Sequence, residues 1–207
     1  WGGLAGRVSG VPSAVNLLTG LGYMFSHDAD SGRLVRSFVL RGLRFALSHG
    51  NQRVICQNPE DRDYLVKTGL VPENKTVVIR GSGVDVNVFR PSAEPSGPVK
   101  IVMASRLLWD KGVREFVEAA DILRNDGVEA KFVLVGEPDP GHPGSVPLAQ
   151  LRAWSEKGSV AWVGWQDAMT EILAGCHIVC LPTAYGEGVP RILIEAAASR
   201  SEERRVG

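Results

Sequence analysis

The sequence predicts an α/β protein whose parallel sheets are covered on both faces by helices. Three observations carry that expectation. Short continuous apolar runs recur along the chain, amphipathic stretches of helical period separate them, and glycine, asparagine and proline punctuate the joins. Buried strands joined by helical crossovers build such sheets, and ligands bind at the carboxyl ends of their strands.

Taken in order, the apolar run Val11 to Leu18 reads as a strand ending in the glycine-rich loop Thr19-Gly20-Leu21-Gly22, with nothing else regular before Phe25. From Arg33 to His49, Val35, Val39, Leu43, Ala46 and Leu47 form a helical stripe. Arg33, Arg36, Arg41 and Arg44 lie elsewhere on that cylinder, which suits either a solvated outer face or an anionic membrane surface. Arg53 to Cys56 is a short strand, Asn58 caps and Pro59 opens a helix closing at Gly69, and Thr76 to Ile79 is the next strand. Gly81-Ser82-Gly83-Val84-Asp85 and the tract with Pro91, Pro95 and Pro98 break the pattern and mark a domain boundary.

Beyond it the alternation is regular. A strand from Lys100 to Ala104 precedes a helix from Gly112 to Asn125, with Val113, Phe116, Val117, Ala120 and Leu123 inward and Gly127 at its end. A strand from Lys131 to Gly136, a Gly/Pro loop, a helix to Lys157, a strand from Val160 to Val163, a helix capped by Asp167 and a strand from His177 to Leu181 follow. The last stretch, Gly186 to Ser199, is a loop feeding a helix. The helix is expected to start near Val189 with Pro190 in its first turn and to bury Ile192, Leu193, Ala196 and Ala197. Glu187 precedes it and Glu195 lies two turns in.

Composition narrows the function. Of 207 residues, 44% are hydrophobic and 22% charged, with zero formal net charge and no basic run interleaved with aromatics, so a nucleic-acid surface is not expected. Cys56, Cys176 and Cys180 have neither disulfide parity nor metal-site spacing and read as core thiols. Trp1 is neither an initiator methionine nor the start of a signal peptide, and Arg200 to Gly207 reads as a non-native, adapter-derived tail. The chain is therefore expected to be an internal fragment.

The chemistry concentrates at one sheet edge. Arg106 and Lys111 lie in the loop after the first strand of the second domain, and Glu187 and the helix near Val189 leave its last strand at the same edge. A helix start and two cations suit phosphate, while carboxylates beside them suit hydroxyl groups, so the set fits a sugar diphosphate. Each residue alone also reads blandly: Arg106 and Lys111 as solvated loop charges, Glu187 as a complement to the helix dipole, and Glu195 as a surface residue.

Gly83-Val84-Asp85 with Phe89 and Pro91, Ser105-Arg106 with Lys111-Gly112, Val135-Gly136-Glu137, and Glu187 with Glu195 together resemble glycosyltransferase family 4, the retaining sugar-nucleotide transferases. The resemblance runs from Gly6 to Ser199. It implies a GT-B fold of two Rossmann-like domains, both truncated here: 1–82 as the end of the acceptor domain, 83–98 as linker, 99–199 as the nucleotide-sugar domain, and 200–207 as the tail. It also implies that Arg106, Lys111 and Glu187 are catalytic, with Arg106 and Lys111 on the donor diphosphate, Glu187 on the donor sugar and Glu195 on the ribose. Gly136 and the backbone from Gly188 through Val189 and Pro190 to Arg191 would complete the donor site, and Thr19, Gly20, Gly83 and Asp85 would line the acceptor side or interdomain cleft. Many members carry a histidine where this chain has Thr19, so no catalytic histidine is carried over.

The wording of Thr19-Gly20-Leu21-Gly22-Tyr23, Gln57-Asn58-Pro59 and Ser105 to Gly112 is similar to the branch that builds bacterial capsule, O-antigen and other polyprenol-linked glycans. Transfer from a nucleotide sugar to a lipid-linked glycan is the expected reaction, without cofactor or metal, in the cytoplasm with peripheral contact at the inner membrane. No Asp-x-Asp pair occurs to hold a cation. A GT-B epimerase or phosphorylase, and a nucleotide-binding fragment without turnover, are the competing expectations.

Overall fold

The computed structural model describes residues 2–19, 33–81, 83–183 and 190–199. The chain divides into two compact units, the first preceding Gly83 and the second beginning there. Each is a parallel α/β layer structure.

In the first unit, helix α1 (Gly2–Val8) leads into strand β1 (Ala14–Leu18), followed by α2 (Arg33–Ala46), β2 (Gln52–Cys56), α3 (Pro59–Lys67) and β3 (Thr76–Val78). The sheet order is β1-β2-β3, all parallel. Helix α1 was not legible, because three glycines in seven residues depress helix propensity and leave no apolar stripe. Asn58 does cap α3: its Oδ1 accepts the Asp61 amide at 2.6 Å, and Pro59 takes the first position, where no amide is needed. Val54, Cys56, Leu65, Leu47 and Val71 form the core on one side of the sheet. Val15, Leu17 and Val77 are exposed on the other, so among the described residues this sheet is covered on one face, not two.

The second unit contains β4 (Val99–Ala104), α4 (Val113–Asn125), β5 (Ala130–Val135), α5 (Leu148–Glu156), β6 (Ala161–Trp162), α6 (Met169–Ala174), β7 (Ile178–Val179) and α7 (Arg191–Ala198). Its sheet runs β6-β5-β4-β7, entirely parallel. Here both faces are covered. Met103, Leu134, Phe116, Val117 and Leu151 pack on one side, with the Phe116 and Phe132 rings edge to face at 5.2 Å; Val102, Val135, Leu173 and Cys176 pack on the other with Ile192 and Ala196 of α7. Burial raises the pKa of the Cys56 and Cys180 thiols, which suits inert core positions.

Three expectations at the chain's second half need correction. The final helix begins at Arg191 rather than near Val189, because Pro190 stays extended (φ −61°, ψ 120°) as its N-cap. Leu193 and Ala197 are exposed, since a start at Arg191 turns Ile192, Glu195, Ala196 and Ala198 toward the unit instead. Asp167 does not cap α6, whose N-cap is Ala168; its Oδ1 accepts the Trp165 indole N–H at 2.8 Å.

Two glycines hold the loops at the carboxyl edge together. Gly112 (φ 81°) and Gly136 (φ 124°) lie in backbone regions that side chains avoid, and a Cβ would meet the carbonyl oxygen of Pro182 or of Ser105 respectively. Gly136→Ala should therefore cost at least about 4 kcal/mol, whereas Gly127→Ala (φ 74°, open space) should cost only about 1–2 kcal/mol. Four of the five tryptophans lie in the second unit, so its urea unfolding followed by fluorescence measures this difference. Equal costs would remove the close-approach explanation.

Candidate functional site

Strand β4 is the switch point of the second sheet: the chain next adds β5 on one side of it, then β6 beyond, and finally β7 on the other side. Ligands in open parallel sheets bind outside the strand ends at such a point. The segment leaving β4 therefore occupies the place where sheet topology makes a crevice.

That segment carries both expected cations. Arg106 follows β4 by two residues and is exposed, with its Nη1 3.2 Å from Oδ2 of Asp139. Lys111 closes the short 3₁₀ turn Trp109–Lys111 and is half-buried. Burial lowers its pKa below the ordinary 10.5, and the nearby positive charge of Arg106 lowers it further, while Asp110 opposes the shift. The two cations are thus electrostatic neighbours. Trp109 anchors the turn, stacking edge to face on Trp154 of α5 at 6.0 Å, and the Thr183 hydroxyl ties it to the segment after β7 by donating to the Asp110 carbonyl at 3.2 Å.

A pocket of about 330 Å³ opens at the ends of β4 and β5. Ala104, Val135, Met169 and Ile192 give it an apolar wall, Gly136 brings backbone to its surface, and Arg106, Gln166 and Asp167 supply polar groups. Trp165 borders it with 69% of its surface exposed. Its position is fixed at two points: the Trp165 amide donates to Glu137 Oε1 at 3.1 Å, and its indole N–H donates to Asp167.

The structure thus brings Arg106 and Gly136 to one pocket with Lys111 close to Arg106. Glu195 lies one turn into α7, beyond Ile192, and is only 8% exposed; its Oε1 accepts the Nε of Arg191 at 2.7 Å. It is not the solvated surface residue that the bland reading allowed. Pro190 has no amide proton and so contributes none to an anion site there. Thr19 is exposed after β1 in the first unit. Gly83 and Asp85 are exposed in the second, where Asp85 Oδ1 accepts the Asn87 amide at 2.8 Å to set a turn. Glu187, Gly188, Val189 and Gly20 fall outside the described residues.

Sequence reading missed Asp139, Trp165 and Gln166. Asp139 was signalled only by standing between Pro138 and Pro140 in a Gly/Pro loop, and Trp165 only by following Gly164 at a strand end. Neither position has a periodic pattern to place it.

Residues 98–201 match the profile of the glycosyl transferases group 1. Over 213 aligned residues the chain is 31% identical to the N,N'-diacetylbacillosaminyl-diphospho-undecaprenol alpha-1,3-N-acetylgalactosaminyltransferase of Campylobacter jejuni, covering 96% of this chain and 53% of that protein. Among solved structures, Anabaena Alr3699/HepE in complex with UDP superposes with a TM-score of 0.71 at 19% identity, over 95% of this chain and 54% of that one. WaaG, a glycosyltransferase involved in lipopolysaccharide biosynthesis, gives 0.66 at 14% identity over 89% and 54%. The chain spans about half the length of these relatives. The shared architecture is the GT-B fold expected above, and the profile match with the 31% identity shows that the chain belongs to the glycosyl transferases group 1 family.

Proposed function

We propose that the full-length protein is a retaining transferase of glycosyltransferase family 4, moving a sugar from a nucleoside diphosphate donor to a polyprenol-linked glycan in bacterial surface polysaccharide assembly. The observation that carries this reading is the pairing of Arg106 with half-buried Lys111 beside the pocket at the switch-point strand. Two cations of which one is partly desolvated form a site that gains by receiving an anion, and a diphosphate leaving group brings charge that grows as the glycosidic bond breaks. The Campylobacter relative is named for an undecaprenol-linked acceptor, and the Anabaena neighbour holds UDP, which supports the same classes of acceptor and donor.

On this reading the apolar wall and the Trp165 face receive the base, Arg106 and Lys111 the diphosphate, Glu195 the ribose and Glu187 the sugar hydroxyls. Arg191 holds the Glu195 carboxylate in place. No divalent metal is required, because the two cations already neutralise the phosphates. Transfer to an undecaprenyl-diphosphate-linked sugar should persist in excess EDTA after dialysis, and Arg106→Ala and Lys111→Ala should each lower turnover by roughly 10²- to 10³-fold. Loss of transfer in EDTA with recovery on adding Mg²⁺ overturns the metal-free reading, and unimpaired variants overturn the diphosphate site.

The pH dependence of binding follows from Lys111. In the folded, ligand-free protein its pKa lies below 10.5, so between that value and 10.5 the unfolded chain binds more protons and folding stability rises with pH. A bound diphosphate reverses the environment by favouring the ammonium. Affinity should then be full below the free-state pKa and fall as pH rises through it, with proton uptake on binding that calorimetry in buffers of different ionisation enthalpy detects. Lys111→Arg should flatten this fall; an unchanged fall in the variant would assign the titration to another group.

We also propose peripheral binding to the cytoplasmic face of an anionic membrane through α2. Its sequence has four arginines and no acidic residue, and Phe38 is 78% exposed on the same face as Arg41 and Phe45. Arg7 stacks over the Phe45 ring at 4.6 Å, adding a further cation. Exposed aromatics among arginines suit a headgroup interface. Among the described residues no helix is long and apolar enough to cross a membrane. The full-length protein should sediment with phosphatidylglycerol vesicles at low salt and release as salt rises, and Phe38→Ser with Arg41→Gln should weaken that binding; equal binding to neutral vesicles would refute it.

A further inference from the structure

We propose that Asp139 is the positioning residue for Arg106, holding its guanidinium at the pocket mouth so that the remaining N–H donors meet the donor diphosphate. This rests on the diphosphate reading above.

Asp139 is itself fastened at several points. Its amide donates to Ser145 Oγ at 2.9 Å, its carbonyl accepts the His142 amide at 2.9 Å, and its Oδ1 accepts the Gly141 amide at 3.3 Å. One carboxylate oxygen thus closes an Asx turn, and the other, Oδ2, is presented to Arg106 Nη1 at 3.2 Å. The loop bearing it is also joined to the segment bearing Arg106. Leu107 donates its amide to Glu137 O at 3.0 Å, Val146 to Leu107 O at 2.9 Å and Trp109 to Gly144 O at 2.9 Å, with an antiparallel bridge between Leu108 and Ser145. Both charged partners therefore ride on one hydrogen-bonded platform.

That platform gives the pair its purpose. An ion pair this exposed adds little to stability, so a carboxylate fastened this firmly beside Arg106 points to another use. A free arginine on an exposed loop must give up its rotamer freedom when it binds phosphate, and a guanidinium already held through Nη1 has less to lose. Guanidinium offers five donors in a fixed fork, so one taken by Asp139 leaves a complete edge for a phosphate.

The test is a double-mutant cycle in the full-length protein: wild type, Asp139→Asn, Arg106→Gln and the double variant, titrated by calorimetry with whichever of UDP, GDP, ADP and dTDP binds. Asparagine keeps the oxygen that closes the turn and removes the charge. Arg106→Gln should weaken binding by about 10- to 100-fold, as for a hydrogen bond to a charged group. Asp139→Asn should weaken it by about 5-fold, as for a directly coupled pair, with no further loss in the Arg106→Gln background and no change in melting temperature. Should Asp139→Asn melt early, Asp139→Ser replaces it, since the hydroxyl also closes the turn. Wild-type or tighter binding by Asp139→Asn, or the same loss in both backgrounds, overturns the proposal. Absence of nucleotide binding, or an Arg106→Gln variant that binds as wild type, overturns the diphosphate reading instead.

Discussion

The second unit depends on how closely the chain can approach itself where β5 ends. At Gly136 and the residue after it four contacts meet. The Gly136 amide donates to Gly164 O at 2.8 Å, its carbonyl accepts the Trp162 indole N–H at 2.9 Å, its Cα lies against the Ser105 carbonyl, and the next residue's carbonyl receives the Leu107 amide. Three strand ends, β4, β5 and β6, are thereby locked in a plane that admits no side chain at this position. The backbone surface that results is part of the pocket, so the packing constraint and the ligand surface are the same atoms.

From that lock the positions of the charged groups follow. Arg106 and Lys111 lie on the segment that Gly136 pins from one side and Gly112 from the other, where the Pro182 carbonyl leaves no room for a Cβ. The turn between them is weighted by Trp109, which packs on Trp154 and carries Arg114 over its ring at 4.9 Å. A flexible lysine stem thus begins from rigid backbone. Its ammonium is partly removed from water next to another cation, and both effects disfavour the charge while Asp110 opposes them.

How much of this was legible follows from where periodicity exists. The strands and helices of the second unit were readable because Val113, Phe116, Val117 and Ala120 repeat at helical spacing and because Ile101 to Ala104 and Phe132 to Val135 are unbroken apolar runs. Arg106 and Lys111 were readable because loops after parallel strands face ligands whatever their sequence. The aperiodic features were not. Helix α1 lacks a stripe, and the Pro190 boundary depends on one residue's ψ; Asp139 and Asp167 act through partners that no spacing rule connects to them. Asp167 shows the difficulty best, since an acidic residue ahead of a helix is the usual signal for a cap and here serves an indole instead.

Glu195 joins these lines. A carboxylate in an otherwise apolar helix face is costly to bury, and packing would be better served by an apolar residue among Ile192, Ala196 and Ala198. The ion pair with Arg191 one turn earlier offsets only part of that cost, because the arginine is largely exposed and its attraction screened. Arg191 Nε donates to Oε1, and a carboxylate has acceptor capacity for more than one donor. Ile192, on the same helix, lines the pocket together with Arg106. In the reading proposed here, the cost of burying the Glu195 carboxylate is offset by the hydrogen bonds that it would accept from the ribose hydroxyls.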